Sequence, residues 1–261
     1  MKRIILLISA IAFLFTSCDK DPIPTYLTIH FTHTVDGIPL ELTTTNSELP
    51  YTNAAGQNYN IKTLQYLISN IRMSSESGNI DLSGVHFVDA ADPSTLKLKL
   101  GELGNGRHSS LTFNLGLSSG ANISNAFVNE NFHTIMAWPD MMGGGYHYMK
   151  LEGNFDNDTT FYNTHTGPLP IDYNGSGFII NDWSISYSSY STACPNFNQF
   201  ILNVDDKMGN VDMTLNMELN KWYNSPDIIS LTSDGIMGNE EMQITLSENG
   251  HCIFSKSLVY E

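Results

Sequence analysis

Residues 132–153, FHTIMAWPDMMGGGYHYMKLEG, hold two histidines, four methionines and a tryptophan around three consecutive glycines. Imidazole nitrogen is a ligand for copper and zinc, and thioether sulfur favours copper(I). His133 and Trp138 precede Pro139, His147 follows the glycines, and His165 comes shortly after in FYNTHTG. Met136, Met141, Met142 and Met149 tilt the choice of ion toward copper. Residues 143–145 permit a tight reversal or a close backbone approach. If the 133–138 arm folds back on the strand that begins at His147, His133 and His147 meet near the hinge. Hydrogen-bonded scaffold histidines and gap-filling methionines would give the same composition without a metal. The chain has no HExxH, CxxC or EF-hand loop, so the signal lies in the cluster and not in one motif.

Other constellations are weaker. His30 and His33 lie three apart in an alternating stretch, which puts them on opposite faces of a strand; only His33 could reach the cluster. Asp140 and Glu152 are a carboxylate pair of the glycosidase kind, but Asp140 sits in a Pro-Asp turn. Glu152, next but one to Lys150, reads as an edge charge. Asp205, Asp206 and Asp212 lack the spacing and the closing Glu of an EF-hand and read as a turn. There is no GxSxG elbow. The chain therefore reads as a binding protein and not as an enzyme.

The elements that must position these residues are mostly strands. TYLTIHFTH, SGVHFVDA, TLKLKLGEL, HSSLTFNLGL, HYMKLEGNF, GFIINDWSISY, FILNVDD, VDMTLNMEL and MQITLSENG alternate or carry β-formers between Gly, Asn, Asp and Ser clusters. Asp36-Gly37 and Asn249-Gly250 are hairpin turn signals. The His147 strand puts His147, Met149 and Leu151 on one face, with Tyr146, Tyr148 and Lys150 on the other. Two stretches have helical potential, IKTLQYLISNIRM and NISNAFVNEN, although the first also suits a strand. The expected fold is mainly β: a single-domain antiparallel β-sandwich or distorted barrel with one or two short helices. Trp183 and Trp222 are read as packing residues.

The chain opens MKRIILLISAIAFLFTSC, with two basic residues, an apolar run of signal-peptide length and small residues before Cys18. Residues 1–17 are read as a signal peptide. Cys18 is read as a lipidated cysteine, residues 18–25 as the tether, and residues 26–261 as the β domain. That predicts a cell-envelope lipoprotein, outer-membrane-anchored, facing the periplasm or the outside. Ordinary cleavage near Cys18 without a lipid is the alternative. Cys194 and Cys252 remain as an even pair in an exported chain, where a disulfide is the default, stabilising by about 3–4 kcal/mol in the chain-entropy model. Losing Lys2 and Arg3 with the leader takes the formal charge from −15 to −17. A surface this acidic repels nucleic-acid phosphates and attracts cations.

IKTLQYLISNIRM, MAWPDMMGGGYHYMKLEG, THTG, ELNKWYNSP and IMGN…SENGHCIF occur in this order. Together they resemble the MbnP-like family of exported copper-binding proteins, in the form common among Bacteroidetes lipoproteins. The resemblance implies a β-rich protein that holds copper(I) with histidines and a tryptophan oxidised to kynurenine. It further implies a di-haem partner of the MauG type that installs the oxidation. On this sequence the tryptophan is Trp138, His133 is the ligand shortly before it, and His147 or His165 supplies the next. The function expected is copper acquisition or storage, with an outer-membrane receptor as a further partner. The competing expectation is a metal-free surface β module that contacts a glycan or protein through Trp138, Tyr146 and Tyr148.

Overall fold

The computed structural model describes residues 23–44, 48–76, 78–157, 159–173, 178–181, 185–188, 194, 201–205 and 208–260. The leader, Cys18, most of the tether, Asp206 and Trp183 lie outside the described residues. Strands run in chain order as β1 Thr25–Val35, β2 Ile38–Pro39, β3 Tyr51–Thr52, β4 Asn58–Tyr59, β5 Thr63–Ser75 and β6 Gly78–Asp89. They continue as β7 Lys97–Leu103, β8 Gly106–Leu115, β9 Met149–Asn154, β10 Phe161–Thr166 and β11 Leu169–Tyr173. The last are β12 Phe178–Asn181, β13 Ile185–Ser188, β14 Leu202–Val204, β15 Val211–Glu218 and β16 Phe254–Tyr260. The α-helix α1 spans Glu240–Gly250.

The long strands form two sheets. One is ordered β16-β15-β1-β2, with β7 also on β1; the other is ordered β10-β9-β5-β8-β13, with β6 on β5 and β14 on β8. Among the described residues all strand pairings are antiparallel except β1 with β15, which run parallel. Leu27, Ile29 and Phe31 of β1 and Val211, Met213 and Leu215 of β15 turn inward at every second position. They meet Leu64, Tyr66 and Ile68 of β5 and Leu111 and Phe113 of β8 in a common core. Phe31 packs edge-on against Tyr66 at 6.3 Å between ring centroids, and Phe254 of β16 meets Phe113 at 5.4 Å. This is the expected β-sandwich, with apolar inner faces excluding water. Cys194 and Cys252 are bonded, with 5.1 Å between their Cα atoms.

A second, smaller cluster lies on the other side of β5. Leu67 and Phe87 of β5 and β6 pack with Leu117, Phe132, Met136, Tyr146 and Tyr148. These last residues belong to the long connection from β8 to β9, which covers the back of the sheet. Neither stretch with helical potential is a helix. IKTLQYLISNIRM enters β5, a central strand buried on both faces. NISNAFVNEN is a series of turns.

Three strand expectations are corrected. MQITLSENG lies in α1, so Asn249-Gly250 ends a helix and makes no hairpin. The Asn239 side chain accepts from the amide of Met242 as N-cap, and Glu240 and Glu241 occupy the first turn, where the helix dipole favours them. GFIINDWSISY is not one strand: β12 pairs with β11, whereas β13 pairs with β8. The His147 strand begins only at Met149, after a bend at Tyr148. Asp36-Gly37 does make the expected hairpin, with both residues at positive φ and Thr34 opposite Pro39.

Candidate metal centre

The arm does fold back. The amide of His147 donates to the carbonyl of Met136 at 2.7 Å, that of Trp138 donates to Gly145 at 2.9 Å, and Ala137 and Tyr146 form an antiparallel bridge. The connection between them contains a short 3-10 turn, Asp140–Met142. Gly143, Gly144 and Gly145 all have positive φ, which side-chain-bearing residues rarely adopt. A Cβ at Gly144 would also lie 2.2 Å from Ser124 Oγ, and one at Gly145 2.6 Å from Asn122 Oδ1. Those neighbours secure the loop: Ser124 Oγ accepts from Gly145 N at 2.8 Å and Asn122 Oδ1 from Tyr146 N at 2.7 Å. Asn122 and Ser124 thus tie the preceding loop to the glycine turn.

Tyr146 and His147 point opposite ways from this segment. Tyr146 packs against Phe127, Phe132 and His133, with ring centroids 5.3, 5.9 and 5.9 Å away. His147 turns the other way and meets Trp138 at 4.8 Å and His165 at 4.9 Å. Three of the four residues expected at the metal, Trp138, His147 and His165, are therefore neighbours. The expected meeting of His133 with His147 does not occur. The Tyr146 hydroxyl accepts from Phe127 N at 3.0 Å and lies 2.9 Å from His133 Nδ1, so its own proton is available to that nitrogen. The His133 ring packs against Tyr146 and lines, with Trp138, an open cavity on that side of the segment.

The methionines do not gather at the rings either. Met136 is buried in the second cluster and Met149 in the main core. Met141 projects into solvent, 84% exposed, and Met142 contributes its backbone carbonyl to the Trp138 Nε1–H at 3.1 Å. His33 is buried against the Tyr66 hydroxyl at 3.0 Å, and His30 pairs with Asp212 at 2.7 Å on the outer face. The two do lie on opposite faces, and Asp212 is thereby occupied.

Trp138 is cradled by what is missing beneath it. A Cβ on Gly167 would fall 2.5 Å from two carbons of the indole, so that face of the ring lies directly on the glycine backbone. Trp138, Tyr146 and Tyr148 are all buried. A module that stacks a sugar on these three rings would need them at the surface, so the structure does not favour that reading.

The hydrogen bonds of the two histidines set which nitrogen is free. His147 Nδ1 lies 3.1 Å from the Met136 carbonyl oxygen, and His165 Nε2 lies 2.7 Å from Glu152 Oε1. Both partners can only accept, so each of those nitrogens carries the proton. The other nitrogens, His147 Nε2 and His165 Nδ1, are buried and have no partner in the protein. Burial, and next the neighbouring His165, push the His147 imidazole down to about 3, so the ring is neutral at ordinary pH. The hydrogen bond from His165 holds the Glu152 carboxyl below the usual carboxylate range, against the effect of its burial. Glu152, read from the sequence as an edge charge, is instead the acceptor that holds His165. Gln243 of α1 supports the strand from behind, donating to the His165 carbonyl at 2.8 Å.

Buried polar atoms in folded proteins are seldom left unpaired. Two lone pairs on touching imidazoles, neither satisfied, fit a soft or borderline metal ion. Among the described residues no group of three or more His, Cys, Asp or Glu side chains is arranged to hold a metal. The arrangement is a pair of imidazoles beside an indole.

A β-sandwich carrying paired buried imidazoles is thus the class that fold and site define. The family model for MbnP matches residues 24–242, and the chain belongs to the MbnP family, a family of copper-related proteins. The solved structure of MbnP from Methylosinus trichosporium superposes with a TM-score of 0.56 at 12% identity, covering 90% of this chain and 99% of that one. At that identity the likeness is one of fold. No curated protein matches the chain.

Proposed function

We propose that this is an exported copper(I)-binding protein in which His147 Nε2 and His165 Nδ1 are the donors and Trp138 is the third residue of the site. The observation that carries the reading is the pair of buried, partnerless imidazole nitrogens on adjoining rings. Membership of the MbnP family supports copper as the ion. Bound there, copper(I) would supply a carried or stored metal and no catalytic step.

The protein's own contribution is to hold both rings in the right tautomer and to keep water away. Trp138 in its present form is a packing residue, because the indole nitrogen lone pair belongs to the ring. Dioxygen, or two equivalents of peroxide, would open the indole to N-formylkynurenine, and hydrolysis releasing the C2 carbon as formate would leave kynurenine, a donor with an aniline amine and a ketone. A di-haem oxidase of the MauG type is the partner proposed for that step. The leader and Cys18 support an outer-membrane lipoprotein, acting in copper acquisition or storage with an outer-membrane receptor. Copper analysis together with intact mass of natively expressed protein tests the reading. Bound copper and a heavier Trp138 peptide are expected; metal-free protein under copper-replete growth would overturn it.

A further inference from the structure

We propose that Glu152 is a positioning residue for the metal site, fixing His165 in the tautomer that presents Nδ1 and setting a negative charge behind the ring. This rests on the reading of the His147–His165 pair as the metal donors.

The two histidines are oriented by different means. His147 is set by a backbone carbonyl, that of Met136, which no side-chain substitution removes. His165 is set by a side chain. Glu152 on β9 lies opposite Asn163 of β10 and Thr63 of β5, which puts His165 one diagonal step away on the same face. The carboxylate itself is held: the Thr63 side chain hydrogen-bonds to it, and Lys150 is near enough to act on its charge. Glu152 Oε1 then meets His165 Nε2 at 2.7 Å, a charge-assisted length.

A carboxylate can only accept, so the proton resides on Nε2 and the lone pair on Nδ1. That is the nitrogen left buried and unsatisfied. Without Glu152 the ring is free to carry its proton on Nδ1 instead, which would remove a donor from the site. The carboxylate also offsets the single positive charge of a copper(I) ion held by two neutral rings. Outer-shell carboxylates of this kind orient a ligand histidine and raise its basicity, and their loss typically lowers metal affinity by about 10–100-fold.

Two measurements on E152A and E152Q decide the matter. In metal-free protein with ¹⁵N-labelled histidine, long-range ¹H–¹⁵N spectra report the tautomer of His165. Native protein is expected to show Nε2–H alone, and E152A a mixture. Competition of copper(I) against a chromophoric chelator is expected to show E152A weaker than native by about 10–100-fold. E152Q, which keeps an oxygen acceptor but loses the charge, should fall in between. Should E152A fail to fold, as judged by its thermal transition, E152Q carries both readouts. Native protein that binds no copper(I) would overturn the function and the role of Glu152 with it. Native protein that binds copper(I), with both variants equal to it in affinity and in tautomer, would overturn only the role of Glu152.

Discussion

The imidazoles of His147 and His165 meet nearly at right angles, 4.9 Å between centroids, one from the glycine-turn arm and the other from β10. Each ring is anchored through one nitrogen and leaves the other buried without a partner. In the proposed site this pair supplies both imidazole donors, while His133, also expected there, packs against Tyr146.

His147→Ala and His165→Ala should each lower copper(I) affinity by more than the roughly 10–100-fold that loss of an outer-shell partner costs. His133→Ala should leave affinity within about threefold, because an altered scaffold contact is a weaker perturbation than even an outer-shell loss. Chelator competition on the three variants checks this. A large loss in His133→Ala with native affinity in His147→Ala would reverse the assignment.

Gly167→Ala should destabilise the fold by about 1–3 kcal/mol, the cost of overpacking a filled site, because the added methyl group meets the Trp138 ring. The residue has no positive φ to complicate the result. Denaturant unfolding reads the effect, and the double variant Gly167→Ala with Trp138→Leu should recover part of the loss. An unchanged midpoint in Gly167→Ala would show that Trp138 does not lie on this backbone.

Stability should fall as the pH drops from about 6.5 toward 4. His33 is buried, and that burial pushes its imidazole down to about 4. Its folded value lies below its unfolded one, so the unfolded chain takes up a proton in this window while the folded chain does not. Full stability is present above pH 6.5, and about 3 kcal/mol attributable to His33 is lost by pH 4. His147, held still lower, acts in the same direction. His33→Gln should flatten the profile by its own share; an identical profile in that variant would contradict the assignment.

Asn249→Ala should cost about 2–4 kcal/mol, since it strands buried backbone groups as well as removing bonds. The side chain donates to the carbonyls of Trp222 and Asp227 at 2.9 and 2.8 Å and accepts from the Asp227 amide at 3.0 Å. A loss below about 0.5 kcal/mol, the size of an ordinary surface change, would mean that these bonds do not tie α1 to the loop.

Much of the sandwich is legible as period-two alternation, because β1 and β15 each bury one face and expose the other. The signal fails where that condition fails. Tyr66, Leu67 and Ile68 of β5 are all buried, since a core lies on each side of the strand, and the continuous apolar run then suits helix and strand equally. In α1 the buried stripe includes Gln243, Asn249 and Gly250 beside Leu246, so no apolar helical face exists to be read. At the candidate site, residue types named His133, Trp138, His147 and His165, of which the fold brings the last three together, but the bend at Tyr148 ends the alternation that would have put His147 with Met149 and Leu151. Glu152 was legible only through the β9–β10 hairpin register, which puts it beside Asn163 and diagonal to His165.

The most direct measurement is histidine-selective ¹⁵N NMR during addition of copper(I) to the metal-free protein. His147 Nε2 and His165 Nδ1 are predicted to shift together and saturate at one equivalent, while His30, His33, His86, His108, His133 and His251 stay in place. Movement of His133 in place of either ring, or no movement of the pair at saturation, would contradict the account.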